Sequence, residues 1–122
     1  MDFKSCYKRF YTLKANSSTY WYNASPNRIA ELKGEYHNNS FYLVIYKENY
    51  SERDYYVIPF ALIENHFKNE YLHIGENPKD YKVRWIGHIY DGCMFQVDGA
   101  VNKGVKPVNV SNYYCRKDLL QK

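Results

Sequence analysis

The longest unbroken run of apolar and aromatic positions is Phe41-Tyr42-Leu43-Val44-Ile45-Tyr46. A second run, Asp54-Tyr55-Tyr56-Val57-Ile58, follows a polar connection, Lys47 to Arg53, of about hairpin length. β-Branched and aromatic side chains suit a pleated surface, so both runs predict strands. Apolar residues fall on both faces. That implies a strand pair covered on both sides, or one face presenting tyrosines to a ligand. Asp91-Gly92 marks a second hairpin, with Lys82 to Tyr90 before it and Cys93 to Val97 after it. Val83, Trp85 and Ile89 share one face, while Lys82, Arg84, His88 and Tyr90 share the other. A strict two-residue turn would set Phe95 beside His88 and mix the faces. A bulge, or partial cover on both sides, is therefore expected.

Weaker patterns fill the remainder. Tyr7 to Lys14 alternates loosely and reads as a strand, Asn16-Ser17-Ser18 as a turn, and Thr19-Tyr20-Trp21-Tyr22 as a strand again. Ser25 and Pro26 open a short helix that places Ile29 and Leu32 on its inner side, and Gly34 sits where a C′ glycine belongs. Pro59 ends a strand and opens a second helix reaching to about Tyr71, with Phe60, Ile63 and Phe67 as its apolar stripe. His73 to Asp80 reads as a loop, and Val105 to Val110 as an edge strand that tolerates Pro107. About seven short strands and two short helices result. The fold class expected is mostly β (α+β), a curled antiparallel sheet or partly open pseudobarrel. Residues 1–122 make one domain, either whole or a piece of a longer protein.

Composition narrows the class. Fifteen tyrosines raise the aromatic share to 19%, which favours strands and contact surfaces. No stretch approaches the ~18 apolar residues of a membrane helix. The N-terminus lacks the apolar core of a signal peptide. Cys6, Cys93 and Cys115 cannot all pair within one chain and show no metal spacing, so reduced thiols in the cytoplasm are expected. Five N-x-S triplets, at Asn16, Asn23, Asn38, Asn49 and Asn109, would be glycan acceptors in a secreted protein. The formal net charge of +4 permits a polyanionic partner without requiring one.

Candidate chemistry is sparse. Glu31-Leu32-Lys33 matches the E-x-K half of the PD-(D/E)XK nuclease pattern, against the plain alternative of a helix surface. His37, His66, His73 and His88 show no zinc spacing, so neither metal nor cofactor is expected. His66 is expected at the surface or half-buried. Cys93 lies five residues after His88, which would suit an activated thiol, but no third group in the sequence orients the imidazole. The fullest constellation is cationic and aromatic. Lys82, Arg84, His88 and Tyr90 line one strand face, and Tyr20 and Trp21 stand before Arg28 and Lys33. Cations neutralise phosphates and aromatic faces stack on bases.

Tyr55-Tyr56-Val57-Ile58-Pro59-Phe60-Ala61-Leu62-Ile63-Glu64-Asn65-His66-Phe67 resembles the strand, Ile-Pro, short helix signature of B3-like DNA-binding pseudobarrels. Those domains serve plant transcription factors and the recognition or effector parts of some restriction endonucleases. Thr19-Tyr20-Trp21-Tyr22-Asn23-Ala24-Ser25-Pro26 is similar to the opening strand of EVE/YTH-type readers, which hold a modified base in an aromatic cage. The resemblance implies a seven-stranded pseudobarrel and a DNA partner, plain or modified.

The expectation is a non-catalytic nucleic-acid-binding module, such as the recognition domain of a restriction or modification-dependent system. Lys82, Arg84 and His88 would contact phosphates or base edges and Tyr20 and Trp21 would stack, with steep loss of affinity in salt. Two alternatives remain: a small metal-dependent nuclease using Glu31 and Lys33, and a protein-interaction domain acting on a defence system, since tyrosine enriches protein interfaces too.

Overall fold

The computed structural model describes residues 9–16, 19–37, 40–47, 54–75, 83–90 and 92–121. Among the described residues, eight strands and three short α-helices make a mixed α+β fold with two sheets, neither of them closed. The elements are β1 (Phe10–Ala15), β2 (Tyr22–Ala24), α1 (Pro26–Glu35), β3 (Tyr42–Lys47), β4 (Tyr55–Pro59), α2 (Phe60–Ile63), β5 (His73–Ile74), β6 (Val83–Tyr90), β7 (Met94–Val97), α3 (Asp98–Asn102) and β8 (Val108–Asn109). The first sheet has the order β1-β3-β4. The second runs β2-β6-β7-β8, with β5 also paired to β6. Pairing is antiparallel except between β1 and β3, which run parallel because β2 and α1 carry the chain across between them.

The double-sided apolar pattern of β3 and β4 is explained by burial on both faces. Leu43, Ile45, Tyr56 and Ile58 enter the main core, packed with Ile29 and Leu32 of α1 and with Trp85, Ile89 and Phe95 of the second sheet. Val44, Tyr46, Tyr55 and Val57 point the other way, into a smaller cluster that Cys115 and Leu119 help to cover. A fully buried side chain of this size contributes about 1.5–3 kcal/mol. Two apolar faces therefore commit this hairpin to the middle of the molecule.

Several local expectations are corrected. One expectation holds: the bulge called for after Asp91-Gly92 takes the form of a three-residue turn after Tyr90, so Ile89 faces Phe95 and His88 faces Gln96. Gly92 and Cys93 both take left-handed backbone, at φ 84° and 62°, and the Cys93 N–H donates to the Tyr90 carbonyl. Cys93 is the extra residue that keeps the two faces separate. Ser25 caps α1 by accepting from the Arg28 N–H, as read, but Gly34 lies inside the helix, which Tyr36 ends in extended conformation. The second helix stops at Ile63 and continues as separate 3₁₀ turns, Glu64–His66 and Asn69–Tyr71.

His66, in the first of these turns, is buried rather than at the surface. Its Nδ1 accepts from the Val97 N–H at 3.1 Å, and its Nε2 lies 3.0 Å from the Lys106 carbonyl. A regular helix to Tyr71 would swing the ring away from both. Asp98–Asn102 forms a helix with no counterpart in the sequence pattern. The edge strand expected over Val105–Val110 shrinks to Val108–Asn109. His73 and Ile74 pair with β6 instead of looping.

At the β2–β6 contact Tyr22 is fully buried. Its hydroxyl donates to the Gln96 carbonyl at 2.8 Å, and its ring stacks on Phe95. This is possible only because Gly87 opposite has no Cβ: one built there would lie 2.3 Å from the Tyr22 hydroxyl oxygen.

Candidate functional site

Three chain reversals meet at one end of the sheets and enclose a cavity of about 590 Å³. The β1–β2 turn supplies Tyr20, the ends of β3 and β4 supply Lys47 and Asp54, and the β6–β7 turn supplies Tyr90 and Cys93. Tyr56 and Tyr114 complete the wall, while His88 reaches the opening from β6. A volume of this size lies within the ~300–1,000 Å³ range of small-ligand sites.

Tyr20 enters the cavity through a backbone departure. The expected strand over Thr19–Tyr22 begins only at Tyr22, because Tyr20 has φ 53°. Asn16 sets this turn, its carbonyl accepting from the Tyr20 N–H and its amide N–H donating to Trp21. Left-handed backbone at a bulky residue costs on the order of 1 kcal/mol. Here it brings the Tyr20 hydroxyl to Asp54 Oδ1, to which it donates. Tyr20 is thus largely buried rather than an open stacking surface.

Asp54 is the hub. Its Oδ2 lies 3.1 Å from Lys47 Nζ, and the Tyr114 hydroxyl also bonds to the carboxylate. Burial pushes the Asp54 carboxyl up, but the bonds from Tyr20, Lys47 and Tyr114 outweigh it and leave the carboxyl below its ordinary value. The same Lys47 Nζ stands 4.8 Å from the centre of the Tyr20 ring. Tyr20 meets Tyr56 edge-on with centroids 5.4 Å apart, and Tyr56 meets Tyr114 at 5.0 Å. Three tyrosine rings therefore form a continuous bent wall beside one carboxylate and one ammonium. Burial first, then Asp54, raises the Tyr20 phenol, so it stays protonated as a donor. Tyr56 donates to Cys93 Sγ at 3.1 Å, and burial raises its phenol too.

At the opening, Tyr90 is 48% exposed and stacks on His88, the ring planes within 9° and the centroids 6.0 Å apart. His88 Nδ1 lies 3.0 Å from Asp98 Oδ1, which also accepts from Gln96 Nε2. Asp98 is the orienting group for His88 that the sequence did not reveal. It fixes the ring plane on which Tyr90 lies. Cys93 lies in the turn between the two strands, lines the same cavity and is engaged by Tyr56.

Of the eight residues singled out as a nucleic-acid surface, Tyr20, His88 and Tyr90 come together at this cavity. Trp21 is half-buried, and its carbonyl accepts from the Asn16 N–H. Arg28 pairs with Glu31 at 3.2 Å along α1, and Lys33 lies over the Phe60 ring. Arg84 projects beside β5, its Nε enclosed without a hydrogen-bond partner among the described residues. Lys82 lies outside the described residues. The described ones among the expected cations, Arg28, Lys33 and Arg84, are therefore dispersed. Glu31 and Lys33 are helix-surface residues, with Glu31 held by Arg28. Among the described residues no group of three His, Cys, Asp or Glu side chains is arranged to hold a metal ion.

Sequence reading missed Lys47, Asp54, Tyr56, Tyr114 and Asp98 as site residues. Lys47 and Asp54 were within reach: they flank the first hairpin and face each other one step beyond the Tyr46–Tyr55 pair. Tyr114 carried no such signal, because it arrives from the chain's far end through a single bridge to Tyr56. Comparison with protein-family models, with curated proteins and with solved structures gives no match for this chain. The function is accordingly argued from the site.

Proposed function

We propose that this domain is a non-catalytic nucleic-acid-binding module, a DNA-recognition unit of the kind that serves restriction or modification-dependent systems in the cytoplasm. The observation that carries the reading is the opening of the cavity, where the stacked Tyr90–His88 pair and the 42% exposed Tyr114 offer aromatic faces to solvent. Base-on-aromatic stacking is worth about 1–3 kcal/mol per base and needs no particular sequence. The net charge of +4 favours approach to a polyanion.

The B3-like resemblance is supported locally by the step from β4 through Pro59 into α2. A pseudobarrel reading draws support from two seams. At one, the Asn16 N–H reaches the Trp21 carbonyl between β1 and β2; at the other, Tyr114 bridges to Tyr56 beyond β8. On this reading the cavity is the mouth of the barrel, a usual place for a ligand.

Fluorescence anisotropy with labelled plain and modified DNA duplexes, and with the matching single strands, tests the proposal. Binding at low salt that weakens about tenfold in Tyr90→Ala supports it. Absence of binding to every one of these at low salt overturns it.

A further inference from the structure

The Lys47–Asp54 end of the cavity already holds one ligand-like group, the chain's own ammonium. Lys47 Nζ sits over the Tyr20 ring at 4.8 Å and against Asp54 at 3.1 Å. A cation over an aromatic face is attracted by the ring quadrupole, and a carboxylate at its side adds charge. Three further observations bear on what this arrangement recognises.

First, the receptor groups have anchors besides Lys47. Asp54 is also held by the Tyr20 and Tyr114 hydroxyls, and Tyr20 is braced edge-on against Tyr56. Removing the lysine would leave the carboxylate and the bent tyrosine wall in place. Second, the pair is not sealed. The side chains of Lys47 and Asp54 keep 22% and 24% of their exposure, on the wall of an open cavity of about 590 Å³. Third, the Tyr20–Tyr56 corner is set at 72°. A bulky cation seated there meets one ring by its face and the next across the corner.

We infer that the Lys47–Asp54 end of this cavity is a receptor for a quaternary or methylated ammonium group, with Lys47 as a resident and replaceable occupant. Lys47 competes at the high effective concentration of a tethered group, so it masks the receptor in the resting chain. A methylated ammonium sheds its hydration more readily than a primary one and gains more from aromatic walls. That is the chemical class suited to displace it. The inference shares Tyr114 with the nucleic-acid reading, but its test reads the Lys47–Asp54 end and not the Tyr90–His88 pair.

The test runs against charge intuition. Removing a cation should strengthen the binding of a cation. Tetramethylammonium, followed by the NMR shifts of the Tyr20 and Tyr56 ring protons, should bind Lys47→Met at least about tenfold tighter than the unmodified chain. Choline and Nε-trimethyl-lysine carry the same group on different stems; titrated in parallel, the tighter names the source. The neutral carbon isostere of choline, 3,3-dimethylbutanol, should bind far more weakly than choline. Equal affinity of Lys47→Met and the unmodified chain, or equal binding of choline and its isostere, overturns the inference. If Lys47→Met does not fold, the unmodified chain decides. High tetramethylammonium should move the ring-shifted ε-methylene resonance of Lys47 to its solvated position. A resonance unmoved by tetramethylammonium, or moved equally by the same concentration of sodium chloride, overturns it as well.

Discussion

His66 shows how a single residue ties segments distant in sequence. Because the Val97 N–H points at Nδ1, that nitrogen carries no proton, and the Nε2 proton goes to the Lys106 carbonyl. Burial holds the imidazole below its ordinary value of 6.5, although the Lys106 bond works in the opposite direction. The sign follows. The unfolded chain takes up the proton near 6.5, whereas the folded chain resists it, so stability is lost as the pH falls below about 6.5. Urea denaturation at pH 7.5 and pH 5.5 should show this loss. In His66→Asn that part of the pH dependence should vanish, at a cost of about 1–3 kcal/mol at neutral pH for the unmet Val97 and Lys106 groups. A variant with the same pH slope as the parent would show that His66 titrates normally. Nothing in the local sequence marks this residue as buried, since its partners lie 31 and 40 positions away.

At the scale of elements, the β6–β7 hairpin and its neighbours depend on close approach. β6 crosses Tyr22 of β2 at Gly87, and a methyl there would also lie 2.2 Å from the Gln96 carbonyl oxygen. Backbone on one side and a fully buried ring on the other leave no room to yield. Gly87→Ala should therefore lower stability by about 3 kcal/mol or more, above the usual range for overpacking. A thermal melt measures this, and an unshifted melting temperature would mean that β2 does not lie against β6 as described. The hairpin's existence was legible from Asp91-Gly92, and the alternation of Trp85 and Ile89 was legible too. The need for a bulge was legible as well, from the faces a two-residue turn would mix; its place at left-handed Cys93 was not. α1 was legible at its start, where Ser25 and Pro26 act locally. Its end was not, because Gly34 is compatible with a helix interior at a cost of only about 1 kcal/mol.

For the whole molecule, charge distribution matters more than net charge. The sequence, with cations counted along one strand face, implied a steep salt dependence. The structure places Arg28 against Glu31, Lys33 over Phe60 and Lys47 against Asp54, while His88 leans on Asp98. Among the described residues, few cations remain to release counterions at the cavity. A plot of log affinity against log salt should thus be shallow, with a slope no steeper than about −3, corresponding to roughly three neutralised phosphates. Anisotropy between 50 and 200 mM salt, about the range over which phosphate-driven binding weakens, checks this. A slope of about −6 or steeper would place the contact on a cationic surface other than this cavity.

What the sequence determined by itself is what nearest neighbours decide. The strand character of 42–47 and 55–59 follows from β-branched and aromatic side chains, the opening of α1 from a cap, and the α2 start from Pro59. The tertiary structure alone decided the parallel pairing of β1 with β3, the burial of His66, and the assembly of Tyr20, Lys47, Asp54, Tyr56 and Tyr114 around one cavity. Those features join residues tens of positions apart. Their energies arise only after the intervening chain has closed, so no local pattern encodes them.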